Sequence, residues 1–371
     1  MSHLSSQAFF LAASIWLTPF LLRCGSKDSS DGNGASAAVP PPSTAASVPT
    51  PTPTPTSAAS VNNCTHDAAP IFTANFVDPS VVQYIIPPGT ASGDEIKPHS
   101  YAITGHAANY AVYAPVNSVL EAVVHYTETG IPSEYLLTFR VSCEVTYRFD
   151  HLINAVPSIV AVASATPQTG SGATGKTFSI PFKAGDLVAY SNSGTLTGGF
   201  DFGVYNTNTS NAFINLQRYV SMNRTNNVNS TCPYDYYSSA NRAPFYAKFA
   251  SSSGTSYPNM GCRSAMRDVQ GAMSGAWFLD SGTSSSYPST IAIGIEPDAI
   301  VRVAGLGGTT LSASGTDPAT VTTEVCYSNS SNYAYLKILP TNQLGVAYGS
   351  GSCPGGTFDA VTGGTYKTYA R

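Results

Sequence analysis

The sequence predicts an all-β protein, mainly antiparallel, with one β domain over residues 63–245 and a second β-rich region over residues 246–371. Three observations lead there. Past residue 70, short runs rich in Val, Tyr, Phe and Thr recur; Gly, Pro, Asn and Ser separate them at turn spacing; and no long amphipathic helical period appears. At 371 residues the chain is long enough for a sizeable core. Only 10% of its residues are charged and the net charge is −4, which leaves no basic footprint for a nucleic-acid partner.

The chain opens on an apolar run over residues 8–22 that Pro19 interrupts, too short to span a bilayer comfortably. Residues 1–24 therefore read as a signal peptide. Leu21-Leu22-Arg23-Cys24-Gly25-Ser26 resembles the cleavage site of bacterial lipoproteins, whose new N-terminal Cys carries the lipid, so Cys24 is the expected membrane anchor. Two features depart from that pattern: Arg23 stands where a small residue is usual, and the leader carries His3 but no Lys or Arg before the apolar run. An ordinary secreted protein is the other reading. Residues 25–62 are Ser, Ala, Pro and Thr, a composition that cannot bury enough apolar surface to offset its ordering entropy. They read as a disordered tether.

Six cysteines come next: Cys64, Cys143, Cys232, Cys262, Cys326 and Cys353, with no CxxC pair. An even number without metal-ligand spacing favours disulfides and an oxidising compartment. Joining sequence neighbours is the preferred pairing, since each bridge then closes within one region, and the other pairings stay open.

Strands are expected at residues 112–114, 120–126, 135–139, 144–149, 177–181 and 187–190, then at 277–279, 290–295, 299–303, 322–327, 334–339 and 344–348. Residues 212–239 allow a helical turn or two through Phe213, Leu216, Tyr219 and Val220. The two β regions either stand apart near residue 245 or share one core. Tyr234, Tyr236 and Tyr237 either stack on sugar rings or pack a disulfide-adjacent loop onto the core. Gly305, Gly307 and Gly308 lack the Lys and the strand-to-helix setting of a phosphate loop, and no Gly-x-Ser-x-Gly elbow is present.

Four segments carry a family resemblance. Ala111-Val112-Tyr113-Ala114-Pro115-Val116, a turn and Leu120-Glu121-Ala122-Val123-Val124 resemble the V-x-A-P-x-D-G-x-V segment of the lysostaphin-like zinc peptidoglycan peptidases, which share the duplicated hybrid motif fold. Phe149-Asp150-His151-Leu152 is similar to their Y-x-H-L strand, residues 182–188 to their V-K-x-G-Q-x-I turn, and Asp201-Phe202-Gly203-Val204 to their H-F-x-V. The resemblance covers residues 85–210 and keeps the family's order.

It implies zinc as cofactor and peptidoglycan, or another envelope component, as partner. Such peptidases hold zinc with two His and one Asp and use further His residues to move protons. Carried onto this chain, the resemblance makes His99 and Asp201 the metal ligands and His151 the catalytic histidine. The first ligand's Asp partner falls on Ile103, and the histidine of H-x-H that precedes the metal ligand falls on Gly199. Tyr101 or His106 would then have to supply the missing donor. Asp150, next to His151, is expected to point to the opposite strand face and to be structural. His66 and His125 stand alone in the sequence. The chain therefore reads as an exported cell-envelope protein with a divergent, catalytically degenerate domain; the alternative is an active zinc metallopeptidase.

Overall fold

The computed structural model describes residues 64–371 except 129–131, 173–175, 196–197, 223, 259, 280–289 and 307–308. The leader, Cys24 and the tether lie outside the described residues. Two antiparallel sheets, each with its own apolar cluster, account for most of the rest.

The chain enters with β1 (Tyr84–Ile86), a small hairpin of β2 (Ala91–Ser92) and β3 (Glu95–Ile96), and β4 (Ser100–Ile103). These pieces escape pattern reading because Pro87, Pro88, Gly89, Gly93 and Pro98 cut them into runs too short to show a period. Next come β5 (Ala111–Tyr113), β6 (Ser118–Thr127), β7 (Glu134–Arg140) and β8 (Val145–Ile153). A short helix α1 (Pro157–Val160) leads to β9 (Gln168–Thr169), β10 (Lys176–Phe182), β11 (Leu187–Ser191) and β12 (Gly199–Asn206). The first sheet runs β1-β4-β12-β8-β7-β6-β10, with β11 joining β5 to β8.

Strand β12 is central, paired with β4 on one side and β8 on the other, and every residue in it is buried. Alternation along it separates two environments. Phe200, Phe202 and Val204 enter an aromatic core with Phe76, Phe149, Tyr147 and Tyr234, while Asp201 and Gly203 face the other way. Phe202 and Phe76 stack at 4.4 Å between centroids, and Phe139 lies over Tyr147 at 4.7 Å.

Residues 207–246 hold α2 (Leu216–Ser221), α3 (Thr225–Asn229), the short strand β13 (Ser230–Thr231), a 3₁₀ turn (Pro233–Tyr236) and α4 (Ser239–Tyr246). Tyr234, Tyr236 and Tyr237 are buried in the first core, so they pack the loop and offer no ring to a sugar. Asn215 and Ser238 cap α2 and α4 by accepting the backbone N–H three residues on.

The second sheet comprises β14 (Gly275–Leu279), β15 (Thr290–Ile295), β16 (Ile300–Leu306), β17 (Thr309–Ser314), β18 (Glu324–Ser328), β19 (Asn332–Leu339), β20 (Gln343–Ser350) and β21 (Lys367–Ala370). Its order is β17-β16-β15-β14-β21-β20-β19-β18, and it curls until edge strands β17 and β18 approach, with Asn329 Nδ2 donating to Ser312 O at 3.4 Å. Trp277 anchors its core: the indole N–H donates to Met273 O at 2.9 Å, and the Arg371 guanidinium lies 3.8 Å from the ring centroid. Helix α5 (Phe358–Thr362) covers part of the outer face, its Thr357 cap accepting from Ala360 N–H.

Disulfides join Cys64 to Cys143, Cys232 to Cys262 and Cys326 to Cys353, at Cα separations of 5.2, 5.6 and 5.9 Å. These are the sequence-neighbour pairs, and they fit an exported protein. No described helix is long and apolar enough to cross a membrane.

Candidate functional site

The polar face of β12 gathers the residues that matter. Register places Asp201 opposite Tyr101 on β4 and opposite Asp150 on β8, and residues directly opposite share a face. His99, just before β4, stands beside Gly203: a Cβ built on Gly203 would lie 3.0 Å from His99 Cβ and 2.5 Å from the Tyr205 hydroxyl. A side chain at 203 would press on the Tyr205 phenol and the His99 Cβ.

Asp201 is the hub. Its Oδ2 lies 3.0 Å from His99 Nε2 and 3.9 Å from His151 Nε2, and Asp201 and His99 are each only 5% exposed. The His99 contact is close but lacks hydrogen-bond alignment, and becomes an ion pair when the imidazole is protonated. Both ring nitrogens of His99 and the Oδ1 of Asp201 are buried with no hydrogen-bond partner among the described residues. Burial opposes ionisation of Asp201, but the neighbouring His99 and His151 outweigh it and hold the carboxyl well below the usual range.

His151 is the most open member, with 26% of its side chain exposed. Its Nδ1 sits 3.0 Å from Oε2 of Glu134 and 3.2 Å from the Tyr126 hydroxyl, which leaves Nε2 turned toward Asp201. Glu134 is fully buried, and its other oxygen accepts from Asn192 Nδ2 at 2.6 Å. Burial works against the charged imidazole, but the Glu134 hydrogen bond and the Asp201 and Asp150 charges push its pKa up to about 10. A ligand that takes Nε2 must displace that proton.

Asp150 departs from the sequence expectation. It does not turn away from the site: Asp150, His151 and Asp201 offer ligand atoms all within 4.8 Å of one another. The cause is a bulge in β8. Tyr135 pairs with Leu152 but Leu137 with Phe149, so three steps on β8 match two on β7, and His151 takes a left-handed φ of 60°. The extra residue breaks the period of two and brings two neighbours to one side. Such a φ at a non-glycine residue costs energy and recurs at functional sites. Asp150 Oδ1 accepts from the Tyr126 hydroxyl at 2.6 Å and from the His151 N–H at 2.9 Å, and burial raises its pKa.

The structure thus brings Asp201 to both histidines, but His99 falls outside the three-residue sets that could hold an ion. Those sets, among the described residues, are Asp150, His151 and Asp201, and Glu128, Glu134 and His151. The oxygen-rich donor set and the unpartnered buried atoms fit a divalent ion.

Glu134, Tyr126 and Asn192 carry no signal in the sequence. A lone Glu opening a strand reads as a surface residue; its pairing with Tyr126, one strand over, is visible only once β6 and β7 are in register. The remaining histidines lie elsewhere: His66 contacts Glu144 at 2.5 Å, His125 stacks on Tyr135 at 4.6 Å, and His106 contacts Ser193 O at 2.8 Å.

Ile103 and Gly199 face each other across β4 and β12. A Cβ on Gly199 would run into the Ala102 carbonyl oxygen and stand 3.0 Å from the Ile103 Cδ1. The two positions that depart from the family pattern are therefore one packing arrangement.

No family model matches this chain, and no curated protein matches it. The solution structure of lysostaphin is similar over 75% of this chain and 92% of that chain, at 11% identity and a TM-score of 0.23. A likeness of that size carries no argument about function.

Proposed function

We propose that this chain is an exported, lipid-tethered cell-envelope protein whose divergent lysostaphin-like domain associates with the cell wall, holds a divalent metal ion and does not cut. The observation that carries the catalytic half is the Ile103–Gly199 closure, which fills the place of the missing histidine with packed side chain and backbone. Ile103 is 2% exposed, so no water-lined gap remains there for a donor to an oxyanion. The buried Asp201 Oδ1, which has no hydrogen-bond partner among the described residues, supports the metal, since buried polar groups without partners are costly. Asp201, Asp150 and His151 would hold it, with His99 beside them. Zinc, when bound, supplies Lewis acidity toward an amide carbonyl and toward water. Within the chain itself, Glu134 orients His151 by engaging its Nδ1, which leaves Nε2 as the nitrogen that would meet an ion in place of its proton.

Metal analysis of protein purified without a His-tag tests the ion. About one zinc per chain, lost in Asp201→Ala, is expected; no metal in the native protein would sink this half. Incubation with purified cell walls tests the rest. Pelleting with the wall and no soluble fragments is the expected result, whereas fragment release abolished by Asp201→Ala would establish the alternative, an active zinc metallopeptidase cleaving peptidoglycan peptide bonds. Gly199→His restores the family residue on paper but is expected to lower stability with no gain of activity.

A further inference from the structure

The hairpin of β2 and β3 leaves the first sheet between β1 and β4 and lies between the polar face and the second sheet. Its base is closed by Gly89 N–H to Lys97 O and Lys97 N–H to Thr90 O, both 2.9 Å. Its register pairs Ala91 with Ile96 and Ser92 with Glu95, so the hairpin has an apolar side and a polar side. Ala91 and Ile96 cluster with Ala292 and Ala304 of the second sheet. On the polar side, Lys97 Nζ lies 3.0 Å from Glu95 Oε1, and the charged Lys97 and the Ser92 hydroxyl stand close enough to Tyr101, the residue opposite Asp201, to perturb its phenol.

The grip on this hairpin comes from outside the first sheet. Arg224 holds Asp94 at 2.8 Å and Glu95 at 3.5 Å; Asn227 Nδ2 donates to Ile96 O at 2.8 Å; and Arg302 Nε donates to Ala91 O at 3.0 Å. Gly89 and Gly93 have left-handed φ values of 98° and 65°, which supply the bend at its base and its tip. On the polar side of the sheet, the members beside the hairpin, His99 and Asp201, are buried, and His151, on the far strand β8, is partly exposed.

We propose that the hairpin from Gly89 to Lys97 is a strap that closes the His99 and Asp201 end of the site, and that α3 and the second sheet hold it shut. The C-terminal region thereby governs access to the site. The strap rests on the proposed metal-holding role of this face, but its test needs neither metal nor catalysis, so the two can fail separately.

The experiment is carbethoxylation with diethyl pyrocarbonate in chelator, resolved residue by residue by mass spectrometry on the full chain. In the native protein the exposed His106 and His66 react and His99 is protected. In Arg224→Ala/Asn227→Ala, and separately in Arg302→Ala, His99 is expected to react about tenfold faster or more, as loss of a local closing contact predicts, with His125 unchanged. Hydrogen exchange at the amides of residues 89–97 confirms release of the strap in each variant. Native His99 reacting as fast as His106 would overturn the proposal. So would a His99 rate that stays at its native value after the strap is released, or a common rise at His99 and His125, which marks general loosening.

Discussion

The two sheets bury their inner surfaces by different means. The second sheet closes on an apolar cluster around Trp277, with Ile291, Ile293, Val301, Val303, Leu336 and Tyr369. The first sheet has an equally apolar core on one face of β12, but on the other face it buries Asp150, Asp201 and His99, each no more than 5% exposed. Buried charges are costly even when paired, and replacing them with apolar residues often raises stability. A chain that can build the second sheet has no structural need for the polar face of the first. The contrast singles out that face as a place where stability is given up, as the proposed metal site would require.

Denaturant unfolding tests the contrast directly. The largest effect is expected from Phe202→Ala, which opens a cavity on the apolar side of β12 and should cost about 3–5 kcal/mol. Asp201→Ala, one residue away on the polar side, leaves His99 and His151 without their shared carboxylate. It should cost less, about 1–3 kcal/mol, because the imidazoles can shed protons. If Asp201→Ala costs as much as Phe202→Ala, the polar face is part of the structural core and the comparison fails. Replacing Cys326 and Cys353 by Ser frees a 27-residue separation and should cost about 2–4 kcal/mol, confined to the second sheet. Hydrogen exchange would show whether the loosening stays there.

The pH dependence is the subtler test. His151 titrates near 10 when folded, above its ordinary value, so its contribution is complete below about 6.5 and fades as pH rises from there through 10. Asp201 is depressed, so its contribution holds above the ordinary carboxylate value and fades as pH falls through the folded one. Metal-free protein, kept in chelator, should therefore lose stability between about pH 6.5 and 10. His151→Gln should flatten that slope, and an unchanged slope would show that His151 is not held by Glu134 and its neighbours. The smallest effect belongs to Arg242→Ala, whose exposed ion pair with Asp235 should contribute well under about 1 kcal/mol.

Much of this architecture is legible in the residues. Alternating Val, Tyr and Phe runs announce β6, β7, β8 and β19 because each has one buried face to satisfy. Cysteine count and spacing point to the bridges that form. The meeting of Asp201 with His99 and His151 is implied by landmarks far apart in sequence. Asp150 is hidden because a bulge suspends the alternation on which strand reading depends, and no local residue announces it. Glu134 is hidden because burial of a lone carboxylate depends on partners supplied by β8 and by Asn192. The strap is hidden because the prolines and glycines in and around it read as loop.

The bridge from Cys64 to Cys143 sits at the first described residue, and the neighbouring residues are fastened to the same turn: Cys143 N–H donates to Thr65 O at 2.9 Å, Ser142 Oγ to Asp67 O at 2.6 Å, and Asp67 N–H to Glu144 Oε2 at 2.9 Å. A pull along the preceding chain is delivered covalently into the turn between β7 and β8, deep in the sheet's strand order, and β1 at the sheet edge carries none of it until that bond breaks. Under the proposed tethering, load would enter the fold at that turn, and reducing the first disulfide should convert a shear-resistant attachment into one that peels.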